Sequence, residues 1–257
     1  LERERRELRE IQRASGKLVP LGIPGFDISI GGGIPDGSLV LLIGGPGSHH
    51  KTFAQQALYN YAISKGKVAY YITEVTSADV RDDMMVFGWD VSNYIEDNSW
   101  LFINVLTPDL QKLAELIPQV PYEQRISLSA TSLNPLKQDI LTRAREGRWT
   151  CLGLSYLVER YEFREITDLI LYWTAVSHTY GGIHFAVLNE GMHDEKIVNA
   201  LKHLSDGVFE FTMRPRLGDS EGILTLRKLR RTLSKVRTIN FIVNENGIAI
   251  ETVERIA

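Results

Sequence analysis

Short apolar runs alternate along the chain with stretches of helical periodicity. Leu39-Val-Leu-Leu-Ile43 reads as a buried strand, and Thr52–Ile63 follows with apolar residues at helical spacing. Further runs at Lys67–Thr73, Trp100–Leu106, Trp149–Leu154 and Gly182–Asn189 predict strands, separated by helical patterns near Ala78–Gly88, Pro135–Gly147 and Phe163–Tyr180. Strand alternating with helix predicts a parallel sheet with right-handed crossovers. From Val208 onward the pattern changes to short strands at Val208–Met213, Gly222–Leu229, Val236–Val243 and Ile248–Val253, with Asn244–Gly247 as a hairpin turn. This tail is expected to be antiparallel and to extend the same sheet. The Pro108–Thr131 region, with three prolines, is the least regular stretch and reads as an insertion. Residues 1–13 carry nine charges of mixed sign, with Leu1, Leu8 and Ile11 on a thin stripe. That is the pattern of a solvated helix, so residues 1–16 are predicted to be an arm and 17–257 the domain.

Composition narrows the picture further. With 257 residues, 44% hydrophobic and 24% charged, the chain is long enough for one large α/β domain. No stretch approaches the roughly 18 apolar residues of a membrane span, and the charged LERERRELRE segment opposes a signal peptide. A cytoplasmic protein without a membrane span is the expectation. The single Cys151 lies in an apolar segment and reads as a buried, inert thiol, as a reducing compartment permits. A net charge of −3 gives no global reason to expect nucleic acid as a partner.

The candidate chemistry sits in GGPGSHHKT, Gly44–Thr52, between the Leu39–Ile43 strand and the helix after it. Strand, glycine turn and helix form the context of a Walker A loop, G-x-x-x-x-G-K-[ST]. There, backbone N–H groups wrap a phosphate, the lysine reaches the outer phosphates and the hydroxyl ligates magnesium. Gly45, Pro46, Gly47, Ser48, His49, His50, Lys51 and Thr52 are therefore the candidate nucleotide-binding residues, with Thr52 as the magnesium ligand. Counted from Gly45, Lys51 and Thr52 fall at the right spacing, but His50 stands where glycine belongs. A metal site at His49-His50 is disfavoured because adjacent side chains diverge. His193-Asp194-Glu195 reads as a polar helix start.

Three segments together resemble the KaiC-like branch of RecA-type ATPases. Leu21-Gly-Ile-Pro-Gly-Phe-Asp27, succeeded by Gly31-Gly-Gly-Ile-Pro-Asp-Gly37 and the loop, is similar to the opening sequence of that family's domain. Phe87-Gly-Trp-Asp90 resembles its Phe-Gly-Trp-Asp turn, and Arg227-Lys-Leu-Arg230 resembles a late-strand Lys-x-Arg. The resemblance implies a RecA-like twisted, mostly parallel sheet flanked by helices with a C-terminal antiparallel extension. It also implies a homo-oligomer, a hexameric ring with ATP or ADP between subunits and Lys228 and Arg230 reaching the neighbour's nucleotide. The bland alternative for the six basic residues between Arg227 and Arg237 is a solvated edge strand.

The resemblance also marks departures. The family loop GGPGTGKT, laid on Gly44 without a gap, puts His49 at the glycine, His50 at the lysine and Lys51 at the threonine. The Gly45 register keeps Lys51-Thr52 but needs an inserted residue, and both remain open. Where the family has a metal-holding aspartate and then serine, this chain reads Leu154-Ser155, and the next acid is Glu159. Of two adjacent glutamates only Glu74 remains, as the candidate water-positioning base, with Val75 beside it. The expected function is a nucleotide-binding ring subunit with weak or absent hydrolysis, acting in regulation or assembly and open to a protein partner. The alternatives are a recombinase paralogue binding single-stranded DNA and an active ATPase with a substitute acid.

Overall fold

The computed structural model describes residues 16–114, 122–216, 219–232 and 236–251. The arm predicted for residues 1–16 lies outside the described residues except for Gly16.

In chain order, β1 (Leu18–Val19), α1 (Phe26–Ile30) and β2 (Ile34–Pro35) precede the loop strand β3 (Ser38–Gly44), which leads into α2 (His50–Ile63). Next come β4 (Lys67–Ile72), α3 (Ser77–Met85), α4 (Ser92–Glu96), β5 (Trp100–Leu106), α5 (Pro108–Ala114), β6 (Glu123–Ser127), α6 (Asn134–Arg145) and β7 (Arg148–Gly153). The remainder is α7 (Ser155–Val158), α8 (Phe163–Tyr180), β8 (Ile183–Asn189), α9 (Glu195–Leu204), β9 (Gly207–Arg216), β10 (Asp219–Leu229), β11 (Arg237–Asn244) and β12 (Gly247–Ile250). Ten strands form one sheet in the order β12-β11-β10-β9-β3-β8-β7-β4-β5-β6, and β1 pairs antiparallel with β2 beside it.

Every residue of β3 is buried because the strand feeds two cores. Val40 and Leu42 point into one, with Phe53, Phe185 and Phe209, while Leu39, Leu41 and Ile43 point into the other, with Trp173 and Leu188. A strand covered on both faces needs apolar side chains at every position, which is why its sequence shows no alternation. Phe53 locks α2 onto the first core, its ring 5.1 Å from Phe26 and 5.3 Å from Phe211. The loop between β3 and α2 is thus tied down at both ends.

The strands run parallel from β9 to β6, and β10, β11 and β12 continue antiparallel. The tail therefore extends the same sheet as expected, with one correction: its first strand, β9, pairs parallel with β3. The Pro108–Thr131 stretch is more than an insertion, since it contributes α5 and the edge strand β6, parallel to β5. One irregularity bears on the basic segment. Leu226 pairs with Phe209 and Lys228 with Val208, so Arg227 is an extra residue, a β-bulge.

Candidate functional site

The C-terminal ends of the central parallel strands lie level with one another: Gly44 pairs with Asn189, Gly153 with Val187 and Leu152 with Tyr71. The segments leaving these strands therefore gather at one end of the sheet, where open α/β sheets bind ligands. A cleft of about 650 Å³ opens there. It is lined by all the candidate loop residues except Ser48, with Gln55, Asp83, Val86, Phe87, Asn189, Glu190 and Met192.

The loop backbone is compact. Gly47 and His49 both have positive φ, 72° and 62°, and helix α2 begins at the residue after His49. A left-handed conformation costs a residue with a Cβ roughly 1 kcal/mol, so His49 occupies a position suited to glycine. The first-turn N–H groups of His50, Lys51 and Thr52 have no intrahelical acceptor, and no side chain caps them. Gly44 must lack a side chain, because a Cβ there would lie 2.1 Å from Ser48 Oγ and 2.8 Å from His50 Nδ1.

The side chains divide into three groups. His50 is 5% exposed; its Nδ1 lies 2.9 Å from Ser48 Oγ, and its Nε2 is buried without a hydrogen-bond partner. Burial first, and Lys51 second, lower its pKa to about 4 against the opposing pull of Asn189 and Glu74, so the ring is neutral. His49 Nδ1 is 3.4 Å from Thr52 Oγ1, and burial lowers its pKa as well. Lys51 Nζ meets Glu74 Oε2 at 3.3 Å, while Glu74 Oε1 accepts the backbone N–H of Tyr156 at 3.1 Å. Glu74 is thus both salt-bridged and bound to the first turn of α7.

The segment where the resemblance expects an acid is equally explicit. Leu154 is fully buried in the second core, and Ser155 Oγ accepts the N–H of Asn189 at 2.8 Å. Glu159 contacts His193 Nδ1 at 2.9 Å. Asp194 precedes the first turn of α9, as the polar-start reading expects. Burial pushes the Cys151 thiol up to about 12, leaving it inert.

Lys228 and Arg230 stand away from this cleft. Lys228 pairs with Val208, itself level with Leu41, and the Arg230 N–H bonds to Asp206, whose own N–H bonds to Leu39. Both therefore lie toward the start of β3, while the loop leaves from its end. Lys228 Nζ donates to the carbonyls of Lys202 and His203 at the end of α9, and Arg230 reaches Asp206 at 3.7 Å. The bulge adds Arg227 to the same side, where it binds Glu210 at 2.6 Å and helps line a second cleft of about 560 Å³. Arg231 donates to Gly37 O and Ser38 Oγ, and Arg237 to Ser29 O.

Reading the sequence did not single out Asp83, Asn189, Glu190 or Met192. Asn189 and Glu190 had a usable signal, because they close a predicted parallel strand at its ligand-binding end. Asp83 and Met192 reach the cleft through tertiary packing, which leaves no local mark. Among the described residues, no helix is long and apolar enough to cross a membrane, and no group of three His, Cys, Asp or Glu is placed to hold a metal.

Comparison with known proteins bears on the same features. The chain is 39% identical to UPF0273 protein PH0284 of Pyrococcus horikoshii over 238 residues, 91% of this chain and 94% of that one. It is 35% identical to a UPF0273 protein of Aeropyrum pernix over 90% of this chain and 92% of that one. The match to UPF0273 protein PF1931 of Pyrococcus furiosus, 39% identical, spans only 38% of this chain and 40% of that one. Among solved structures, the flagellar accessory protein FlaH of Methanocaldococcus jannaschii superposes with a TM-score of 0.73 at 19% identity, covering 92% of this chain and all of that one. The KaiC-like protein PH0186 of Pyrococcus horikoshii gives 0.71 at 22% identity with the same coverage. These two share the RecA-like fold. The model of the KaiC ATPase family matches residues 19–255, and the chain belongs to that family of RecA-like, nucleotide-binding P-loop proteins.

Proposed function

We propose that the chain binds ATP or ADP in the Gly44–Thr52 cleft and uses it as an assembly ligand in a homo-oligomeric ring, with hydrolysis slow or absent. The observation that carries this reading is the contrast within the cleft. The loop keeps a strand-to-helix cradle with unpaired first-turn N–H groups, suited to a phosphate, beside an apolar wall of Val86, Phe87 and Met192 suited to a base. The hydrolytic parts are compromised. Leu154 stands buried at the metal-holding position, and Glu74 is engaged by Lys51 and α7. Such a carboxylate is poorly placed to orient an attacking water unless both contacts are released.

The cradle also favours one register. A left-handed His49 leading at once into the helix supports the gapless alignment, with His50 in the lysine's place and Lys51 in the threonine's. The position of Lys228 and Arg230, away from their own loop, is compatible with reaching a neighbour's nucleotide. To do so they must leave α9 and Asp206. The single-stranded DNA reading finds less support, since Arg227, Lys228, Arg230, Arg231 and Arg237 all make contacts within the chain. An active enzyme would have to recruit Glu190 or Asp83 from the cleft wall.

Light scattering during an ATP titration tests the proposal, with phosphate release measured on the same sample. Binding with a rise in mass and no sustained phosphate release is expected. Steady release abolished by Lys51→Ala would establish an active ATPase instead.

A further inference from the structure

Magnesium needs oxygen donors in near-octahedral array, typically one or two carboxylates with the ligand's phosphates. This cleft does not offer the family's set. In the gapless register the position of the magnesium-binding hydroxyl carries Lys51, whose ammonium has no lone pair for a metal. Its Nζ points to Glu74 at 3.3 Å, so that carboxylate is already paired with a cation. The aspartate position is Leu154, buried among Leu152, Leu157 and Leu188. Thr52, one residue further on, is turned about 100° around the helix and neighbours His49 instead. Glu190 and Asp83 also line the cleft, but from separate elements, the end of β8 and α3.

A second observation concerns the phosphate donor. His50 is 5% exposed and lines the cleft, and its buried Nε2 has no partner in good hydrogen-bond geometry, the Asn189 amide standing near enough only to raise the ring's pKa against burial. A buried polar atom without a partner is costly. The tautomer with its proton on Nε2 lets the Ser48 hydroxyl donate to Nδ1 and leaves one N–H donor for an anion at the loop.

We infer that this chain binds nucleotide without magnesium, the Lys51 ammonium standing in the metal's place and His50 Nε2 serving as phosphate donor in the lysine's place. The inference rests on the Gly44–Thr52 cleft being a nucleotide site. The ligand class is then a metal-free nucleoside di- or triphosphate, its charge met by one ammonium and the N-terminus of α2 and its oxygens by the N–H of one neutral imidazole.

Isothermal titration of the full chain with ATP and with ADP, in magnesium chloride and in excess EDTA, tests it. The dissociation constant is expected to agree between the two buffers within about twofold, and Lys51→Thr is expected to weaken binding in EDTA by about tenfold or more. Because Lys51 is half exposed, that variant should fold, and its thermal unfolding checks this. Wild-type binding that requires magnesium overturns the inference while leaving the nucleotide site standing; loss of that requirement in Glu190→Gln would then identify Glu190 as the metal's ligand. Unchanged affinity of Lys51→Thr in EDTA also overturns it. Absence of binding in both buffers brings down the nucleotide site itself.

Discussion

The Phe87–Asp90 turn and the Gly44–Thr52 loop both border the cleft, and both resemble family sequence, yet they are held by different forces. In the turn, Trp89 is 6% exposed, stacks on Phe87 at 4.7 Å and on Tyr59 at 6.0 Å, and leaves no space for a side chain at Gly247, whose Cβ would lie 2.3 Å from its ring. Several elements converge on that one indole, so the turn keeps the family's residues for reasons of packing. In the loop, the contacts are polar and mostly local: Ser48 with His50 and His49 with Thr52, with Lys51 reaching across to Glu74 beyond the end of β4. Residues here can change without disturbing the core, and the chain departs from the family pattern at these positions. Fold and chemistry are carried by neighbouring segments with different tolerance.

The sharpest way to break that comparison is to restore the family's acid. Leu154→Asp would remove a fully buried apolar side chain and leave a carboxylate in its place, at a cost of about 5 kcal/mol; urea unfolding measures it. A variant as stable as wild type would show that Leu154 belongs with the tolerant loop. Trp89→Ala is expected to cost about 4 kcal/mol through the cavity it opens, read from the same denaturation midpoint.

The next effect is one of pH. His184 is fully buried between Thr150 Oγ1 at 2.8 Å and the Gly181 carbonyl at 3.0 Å, and burial lowers its pKa to about 4. The unfolded chain, with a histidine near 6.5, binds the proton first. Stability from this group is therefore complete above pH 6.5 and lost as pH falls toward 4, by on the order of 3 kcal/mol. Urea midpoints across that range should show a shallower slope in His184→Gln. Smallest of all, Lys51→Ala should change stability by less than about 1 kcal/mol, because its ion pair is partly exposed and solvent-screened. A larger loss would mean that the loop supports the fold after all.

Much of the architecture was legible because strands covered on both faces leave continuous apolar runs, as in Leu39–Ile43, and hairpin turns leave Asn-Gly marks. The direction of β9 was not, since a strand's own residues do not say whether its neighbour runs parallel. Strand β6 was also missed. Its sequence, Glu123-Gln-Arg-Ile-Ser127, is polar because it sits at the sheet's edge and is only partly covered. In the site, the glycine turn was readable from its spacing, and the Leu154 position was marked only by the family resemblance. The conformation of His49 and the pairing of Lys51 with Glu74 were not, since one depends on backbone torsion and the other joins residues that only the sheet brings together.

The extra residue at Arg227 acts as a frameshift in the strand. Leu224 and Leu226 face the first core, and simple alternation would send Lys228 and Arg230 after them; with one residue out of step, Leu229 takes the buried place. Deleting Arg227 would remove the cation and the bulge together. The bulge would close and plain alternation from Leu226 would still send Lys228 and Arg230 outward and Leu229 inward, so the bulge is what lets the strand carry one more cation without burying any of them.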